Sequence, residues 1–343
     1  MSKRVNVGSG GRLAELDLVS YGRRGRDTPL QFSAAQLEQI GRTVSGVPEV
    51  MVKVSGGGKS TDAVQAHFAY IDRHGQLEVH TDEGEILQGK EVADYLVDDW
   101  NLDTGKGQYR PGPKAGEKDR RPKQVHNVVF SMPAGTPPEK LLAATQKFAR
   151  EKFALQHRYA MVLHTDQGHP HVHLVVKAQS EDGKRLHIRK ATLRQWREDF
   201  AGYLRELGVA ANATPSVLRG KPKDRKQDSI YRALKRGQST FMRRKVERVA
   251  EELQHGRLAP EAGKAKLLAT RGGVVEDWIT TAALLRAQGH ESLAHGVEAY
   301  VRRIPAMATE KEVVANGLLA QLAAQRVRVR SDEHEHSVGD RAR

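Results

Sequence analysis

Four of the chain's fifteen histidines fall within ten residues of the stretch MVLHTDQGHPHVHLVVK, 161–177. They are His164, His169, His171 and His173, and most residues around them are apolar or turn-forming. Neutral imidazoles on one side of a strand pair can hold a divalent cation, and three of them leave coordination positions open for a substrate. Spacing selects which three. With Gln167–Gly168 as a two-residue hairpin loop and the glycine at positive φ, His164 stands opposite His171, Val162 opposite His173 and Asp166 opposite His169. Side chains alternate along a strand, so these histidines and Asp166 share one face. Leu163, Pro170, Val172, Leu174 and Val176 form an apolar back. Directly opposed Cβ atoms lie about 4.5–5.5 Å apart, which lets His164, His171 and His173 converge on one cation. Asp166 is then an acceptor that orients an imidazole. His169, near the turn, is a reserve ligand or a substrate contact. A solvent-facing His-rich hairpin can also pick up metal incidentally. The shared parity of the histidines and the unbroken apolar back argue for a built site instead. Mn, Zn, Ni, Co and Cu suit three imidazoles, and Mg fits once phosphate oxygens complete the shell.

Such a cation on a basic protein points to phosphodiester chemistry, which needs a nucleophile. Cysteine is absent, which excludes disulfides, thiolate zinc sites and cysteine nucleophiles and leaves water, Ser or Tyr. Tyr70 is distinctive among eight tyrosines. On a helix read over STDAVQAHFAYIDRHG, the buried stripe is Val64, Phe68 and Ile71. At 100° per residue Tyr70 falls off that stripe, on a flank with Ala63, His67 and His74. Arg73 follows it, and SGGGKS with Lys59 precedes it, a loop able to approach a backbone phosphate. SGGGKS lacks the spacing of a nucleotide-binding P-loop, so ATP binding is discounted. Tyr21, in SYGRRG, is the alternative tyrosine.

These residues need elements to position them. EVMVKVSG reads as a strand, followed by the Tyr70 helix with an Asp62/Gln65 capping signal and a stop at Gly75. A hairpin around Asp82–Gly84, a short helix over GKEVADYLVDDWNL and a strand over QVHNVVFSMP come next. A helix with Thr136 as N-cap, the two strands of the histidine hairpin and the helix RKATLRQWREDFAGYLRELG complete the set. The order predicts an α+β fold, with a largely antiparallel central sheet and flanking helices in two or three layers, followed by a helical C-terminal region. The expected divisions are 1–45, an arm or appended element; 46–215, the site-bearing domain; 216–330, a basic helical region; and 331–343, a disordered tail.

The formal net charge of +14 over 343 residues favours an anionic partner, most often nucleic acid. Residues 219–248 hold twelve Lys/Arg against three acids, and 104–125 form a second basic run rich in Pro and Gly. Two such runs flanking the histidines read as a phosphate-binding track. No apolar run is long enough to span a bilayer and the N-terminus shows no secretory pattern, so a cytoplasmic protein without membrane insertion is expected.

HTDQGHPHVHLVVK, with AYIDRHG upstream and NVVFSMPAGT between them, resembles the single-tyrosine conjugative relaxases of the VirD2 and plasmid-mobilisation type. These sit within the HUH endonucleases, whose His-hydrophobe-His pattern is here His171-Val172-His173. The resemblance covers about residues 46–210. It implies Tyr70 as nucleophile, His164, His171 and His173 as ligands of a divalent cation, Mg or Mn in function, and Ser131 as a DNA contact near the nick. Lys177 stands where the family often has Asn, and as a cation it becomes a DNA contact beside Arg73 and Lys59. The implied reaction is strand-specific nicking of an origin of transfer through a 5′-phosphotyrosine. The implied partners are single-stranded or extruded origin DNA, accessory relaxosome proteins and a secretion coupling protein, with export of the chain covalently attached to DNA. A rolling-circle initiator or single-strand transposase shares the fold, but those relatives usually place the tyrosine after the histidine pair. A non-enzymatic nucleic-acid-binding protein with a structural metal hairpin is the other alternative.

Overall fold

A computed structural model describes residues 31–102, 121–216, 218–219, 233, 236–256, 258–259, 261, 263–306 and 308–340, with side chains described only to 325. Tyr21, most of the basic run 104–125 and much of 219–248 lie outside the described residues. In chain order the elements are α1 (Ala34–Val44), β1 (Met51–Gly56), α2 (Thr61–Ile71), β2 (Val79–Thr81), β3 (Ile86–Leu87), α3 (Val92–Asp99), β4 (Val125–Ser131), α4 (Pro138–Phe153), β5 (Tyr159–His164), β6 (His171–Lys177) and α5 (Lys190–Glu206). Four further helices follow: α6 (Thr240–Gln254), α7 (Lys264–Ala287), α8 (Glu291–Arg303) and α9 (Glu310–Asp340). The chain divides into two compact units, Ser45–Thr214 and the combination of Met1–Val44 with Pro215–Arg343.

In the unit Ser45–Thr214 the six strands form one sheet in the order β1-β4-β6-β5-β2-β3, each neighbouring pair antiparallel. Strand alternation gives the sheet two apolar faces, and each recruits its own helices. On one face Phe130, Val172, Leu174 and Val176 pack with Leu141, Phe148 and Phe153 of α4 and Trp196, Phe200 and Leu204 of α5. On the other, Val125, Ala160, Val162 and Val175 pack with Val64, Phe68 and Ile71 of α2 and with α3 and Trp100. The fold is therefore a three-layer α+β sandwich. The sheet face that carries the histidines is not an open surface. That face is apolar and covered at Ala160, Val162 and Val175, and turns to histidine only toward the β5–β6 connection. Phe148 is fully buried against Phe130, Phe153 and Trp196, with ring centroids 4.8, 6.0 and 5.5 Å away. Phe148→Ala is expected to cost about 3–5 kcal/mol, measured as the loss of amide-exchange protection in β4 and β6.

Local signals locate the helices well but misplace some caps. Ser60, not Asp62, caps α2, its Oγ accepting from the Ala63 N–H at 3.3 Å. Thr136 donates its hydroxyl to Pro133 O, and Pro137 takes the N-cap position of α4. The hairpin at Asp82–Gly84 forms as read, with Gly84 at φ 87°.

In the other unit, Ile40 and Val44 of α1 pack with Val274, Trp278 and Leu285 of α7 and with Ala294 and Val297 of α8. The Arg303 guanidinium donates to Val44 O at 2.8 Å, and the Trp278 indole donates to Leu218 O at 2.9 Å. The helical stretch of the expected arm thus has its apolar stripe covered by elements more than two hundred residues downstream. The backbone of α9 is helical to Asp340, although a disordered tail was expected from 331. A charged stretch with no proline continues a helix as readily as it frays. Among the described residues no helix is long and apolar enough to cross a membrane.

Candidate metal centre and tyrosine site

Strands β5 and β6 pair with Val162 opposite His173 and His164 opposite His171, the register expected from parity. The ladder stops there, and 165–170 form a looser connection in which Gly168 does not take positive φ. The two-residue turn is thus corrected while the register stands, because the register is set by which strand residues are apolar on the buried face. The imidazoles of His164, His171 and His173 present ligand nitrogens that all lie within 4.8 Å of one another. Their ring centroids are 5.0, 4.6 and 5.1 Å apart.

Two of the three rings are held from behind. His164 donates its Nε2–H to Ile71 O at 2.6 Å, so its Nδ1 is the acceptor nitrogen, and that nitrogen faces the Arg73 guanidinium at 3.3 Å. His171 Nδ1 faces His169 O at 3.4 Å. His173 Nδ1 is buried and has no partner. Neutral nitrogen donors at this spacing, with one ring nitrogen each turned away from the centre, fit a divalent cation with open positions. Burial holds all three imidazoles below their ordinary pKa, and His173 falls to about 3 with the neighbouring imidazoles as lesser contributors. The three rings are therefore uncharged at neutral pH. The unfolded chain takes up these protons at about pH 6.5 while the folded chain resists. Stability is thus full above that pH and falls as pH drops toward the folded values. For His173 alone the loss is about 1.4 kcal/mol per pH unit below 6.5, or about 2 kcal/mol at pH 5. Urea unfolding of chelator-treated protein at pH 7.5 and pH 5.0 checks this, and an unchanged midpoint contradicts it.

The end of α2 links Tyr70 to this centre through His67 and Arg73. Arg73, His74 and Gly75 take φ of 56°, 57° and 84°, three successive left-handed residues of which two carry side chains. Such conformations cost about 1–2 kcal/mol each for a non-glycine residue. The turn brings Arg73 back over the sheet end. Its Nη2 lies 2.7 Å from Asp166 Oδ2 and 3.3 Å from His164 Nδ1, and its Cζ is 5.4 Å from the Tyr70 ring centre. The Arg73 guanidinium holds the Asp166 carboxyl below the usual carboxylate range. Asp166 therefore anchors Arg73, and the acceptor that orients an imidazole is Ile71 O. The N–H of His164 goes to the C-terminal carbonyl of α2 and not to Asp166, whose carboxylate pairs with Arg73. Tyr70 is 55 % exposed, so its phenol is open to a ligand.

His67 was given no role in the sequence, although it sits one turn before Tyr70 on the same flank. Its ring stacks on Tyr70 at 6.5 Å and meets His173 edge-on at 6.4 Å. Its Nε2 is buried without a partner, and burial lowers its pKa. The signal available was the i, i+3 spacing to the tyrosine.

The remaining expected residues divide. Ser131 pairs with His171 across β4 and β6, and its buried hydroxyl donates to Pro170 O at 3.3 Å. It borders a shallow cavity of about 310 Å³ lined also by Met51, Met132, Pro133, Gly168 and His169. Lys177 sits at the far end of β6 opposite Val125, ion-paired with Glu181 at 3.0 Å. At about 3.3 Å per residue it is some ~13 Å along the strand from His173. Lys59 precedes α2 at the opposite end from Tyr70. Neither lysine is brought to the centre.

Residues 101–209 match the family model described as Relaxase, MobA/VirD2-like, nuclease domain. The matched segment contains the histidine triad, Asp166, Ser131 and Lys177, and leaves Tyr70, Arg73 and Lys59 outside it. Two curated relatives are the T-DNA border endonuclease VirD2 of Rhizobium rhizogenes and that of Agrobacterium fabrum (strain C58 / ATCC 33970). Each is 25% identical over 139 residues, 37% of this chain and 30% of the relative. The chain thus spans about a third of the length of these relatives. A solved structure titled "Molecular Basis of Vancomycin Resistance Transfer in Staphylococcus aureus" is matched over 49% of this chain and 99% of its own, at 12% identity and a TM-score of 0.32. The relaxase resemblance read from the histidine motif is therefore carried by residues 101–209, the part of the chain that builds the centre.

Proposed function

We propose that the unit built on residues 46–215 is a DNA relaxase, which nicks one strand at an origin of transfer by transesterification onto Tyr70. The observation that carries this reading is the convergence of three imidazoles within 4.8 Å beside an exposed tyrosine. The similarity to MobA/VirD2-like nuclease domains and to a T-DNA border endonuclease supports it. His164, His171 and His173 would hold a divalent cation, Mg or Mn in function, which when bound would supply Lewis-acid polarisation of a non-bridging phosphate oxygen. Tyr70 Oη attacks the phosphorus in line, and its proton passes to solvent. The bond from phosphorus to the 3′ oxygen breaks, that oxygen takes up a proton, and the 5′ phosphate remains on the tyrosine. Arg73, held by Asp166, places a fixed positive charge beside the phenol and the phosphate, where charge builds in the transition state. The ester energy is retained in the phosphotyrosine, so reversal reseals the strand without ATP. Ser131 and the basic segments contact and position the single strand. The helices after 216 meet DNA, an accessory protein or a secretion coupling protein. The chain works in the cytoplasm and leaves it attached to DNA.

The test uses single-stranded oligonucleotides tiled over the DNA flanking the chain's own gene, labelled at the 3′ end. With Mn²⁺ or Mg²⁺ one oligonucleotide is expected to give an SDS-resistant adduct that chelator abolishes. No adduct from either strand with either metal would overturn the proposal.

A further inference from the structure

We infer that His67 is a positioning residue that orients His173 toward the cation and braces Tyr70 beside it. The inference rests on the metal reading above. An imidazole that offers one nitrogen to a cation carries its proton on the other, and metal-binding histidines almost always donate that proton to a neighbouring acceptor. For His164 the acceptor is Ile71 O and for His171 it is His169 O. His173 has none: its Nδ1 is buried and unpartnered. A buried donor left unpaired costs about 1–3 kcal/mol. His67 carries the complementary defect, a buried and unpartnered Nε2, on a ring 6.4 Å from that of His173 and inclined at 70° to it. The His173 Nδ1–H therefore donates to His67 Nε2 through one buried water, and His67 keeps its own proton on Nδ1. The other side of the His67 ring lies on Tyr70, with centroids 6.5 Å apart and planes at 25°. One residue thus holds a ligand and the nucleophile in a common orientation, from a position fixed on α2 one turn before Tyr70. Asn127 Oδ1 is a second buried acceptor without a partner, on the neighbouring strand and opposite Val175.

The experiment is Mn²⁺ calorimetry on the full chain, with adduct formation measured in parallel. His67→Phe keeps a ring against Tyr70 and removes the nitrogen, and is expected to weaken Mn²⁺ binding by about 10–100-fold. His67→Gln supplies an amide oxygen to the same proton and is expected to recover most of the affinity. Amide exchange in α2 is expected to stay unchanged in both variants. Wild-type Mn²⁺ affinity in His67→Phe would overturn the inference, as would a loss in Asn127→Leu with none in His67→Phe. The outcomes separate this from the relaxase reading. Mn²⁺ binding that His171→Ala removes and His67→Phe weakens, without any adduct, supports His67 and sinks the nicking. No Mn²⁺ binding by the wild-type chain overturns both.

Discussion

Tyr70→Phe should reduce the SDS-resistant DNA adduct by a factor on the order of 10⁴ or more, the scale seen when a covalent nucleophile is removed. Only the phenolic oxygen is lost. The ring still lies beside His67 and under Arg73, whose Cζ is 5.4 Å from its centre, so fold and metal affinity should not change. At 55 % exposure the phenol faces solvent and the Arg73 side chain, so its loss should leave the helix folded. The measurement is adduct yield by denaturing gel, with Mn²⁺ calorimetry as the control for an intact centre. An undiminished adduct moves the nucleophile elsewhere. Tyr21→Phe is the companion variant, and loss of the adduct in that variant alone would assign the chemistry to SYGRRG.

The second large effect belongs to the triad. His171→Ala combined with His173→Ala leaves His164 as a single nitrogen donor, and one imidazole cannot hold a divalent cation at micromolar concentration. Metal binding should fall below detection by calorimetry, and the adduct should vanish with it. An unchanged metal content in the double variant would remove the metal centre from the reading altogether. His164→Ala has a further expected consequence. It removes the N–H that Ile71 O accepts at 2.6 Å, so the last turn of α2 loses a tie to β5. Amide exchange at the C-terminal end of α2 should accelerate in that variant more than in the double variant, because among the described residues it is His164 that bonds the Ile71 carbonyl.

Some of this centre was legible in the sequence because it rests on local covalent geometry. Alternation along a strand is a property of the backbone, so the parity of His164, His171 and His173 follows once the segment is extended and its back is apolar. The pairing of His164 with His171 could be read from the hydrophobic pattern even though the turn assumed for it was wrong. The off-stripe position of Tyr70 likewise needs only the helical period. Tertiary structure decided the rest. Ile71 and His164, and Arg73 and Asp166, are each 93 residues apart in the chain, and no local pattern announces such contacts. They exist because Val64, Phe68 and Ile71 must be buried, and the sheet face carrying Ala160, Val162 and Val175 is where they are. Docking that stripe sets the end of α2 against the histidine end of β5. The left-handed turn at Arg73 and His74 then carries a guanidinium back to the site. The sequence by itself determined which side chains share a face. Only the packing of α2 on the sheet decided that a tyrosine, an arginine and a fourth, half-buried histidine would meet them there, because burial of distant apolar surface is a property of the whole fold.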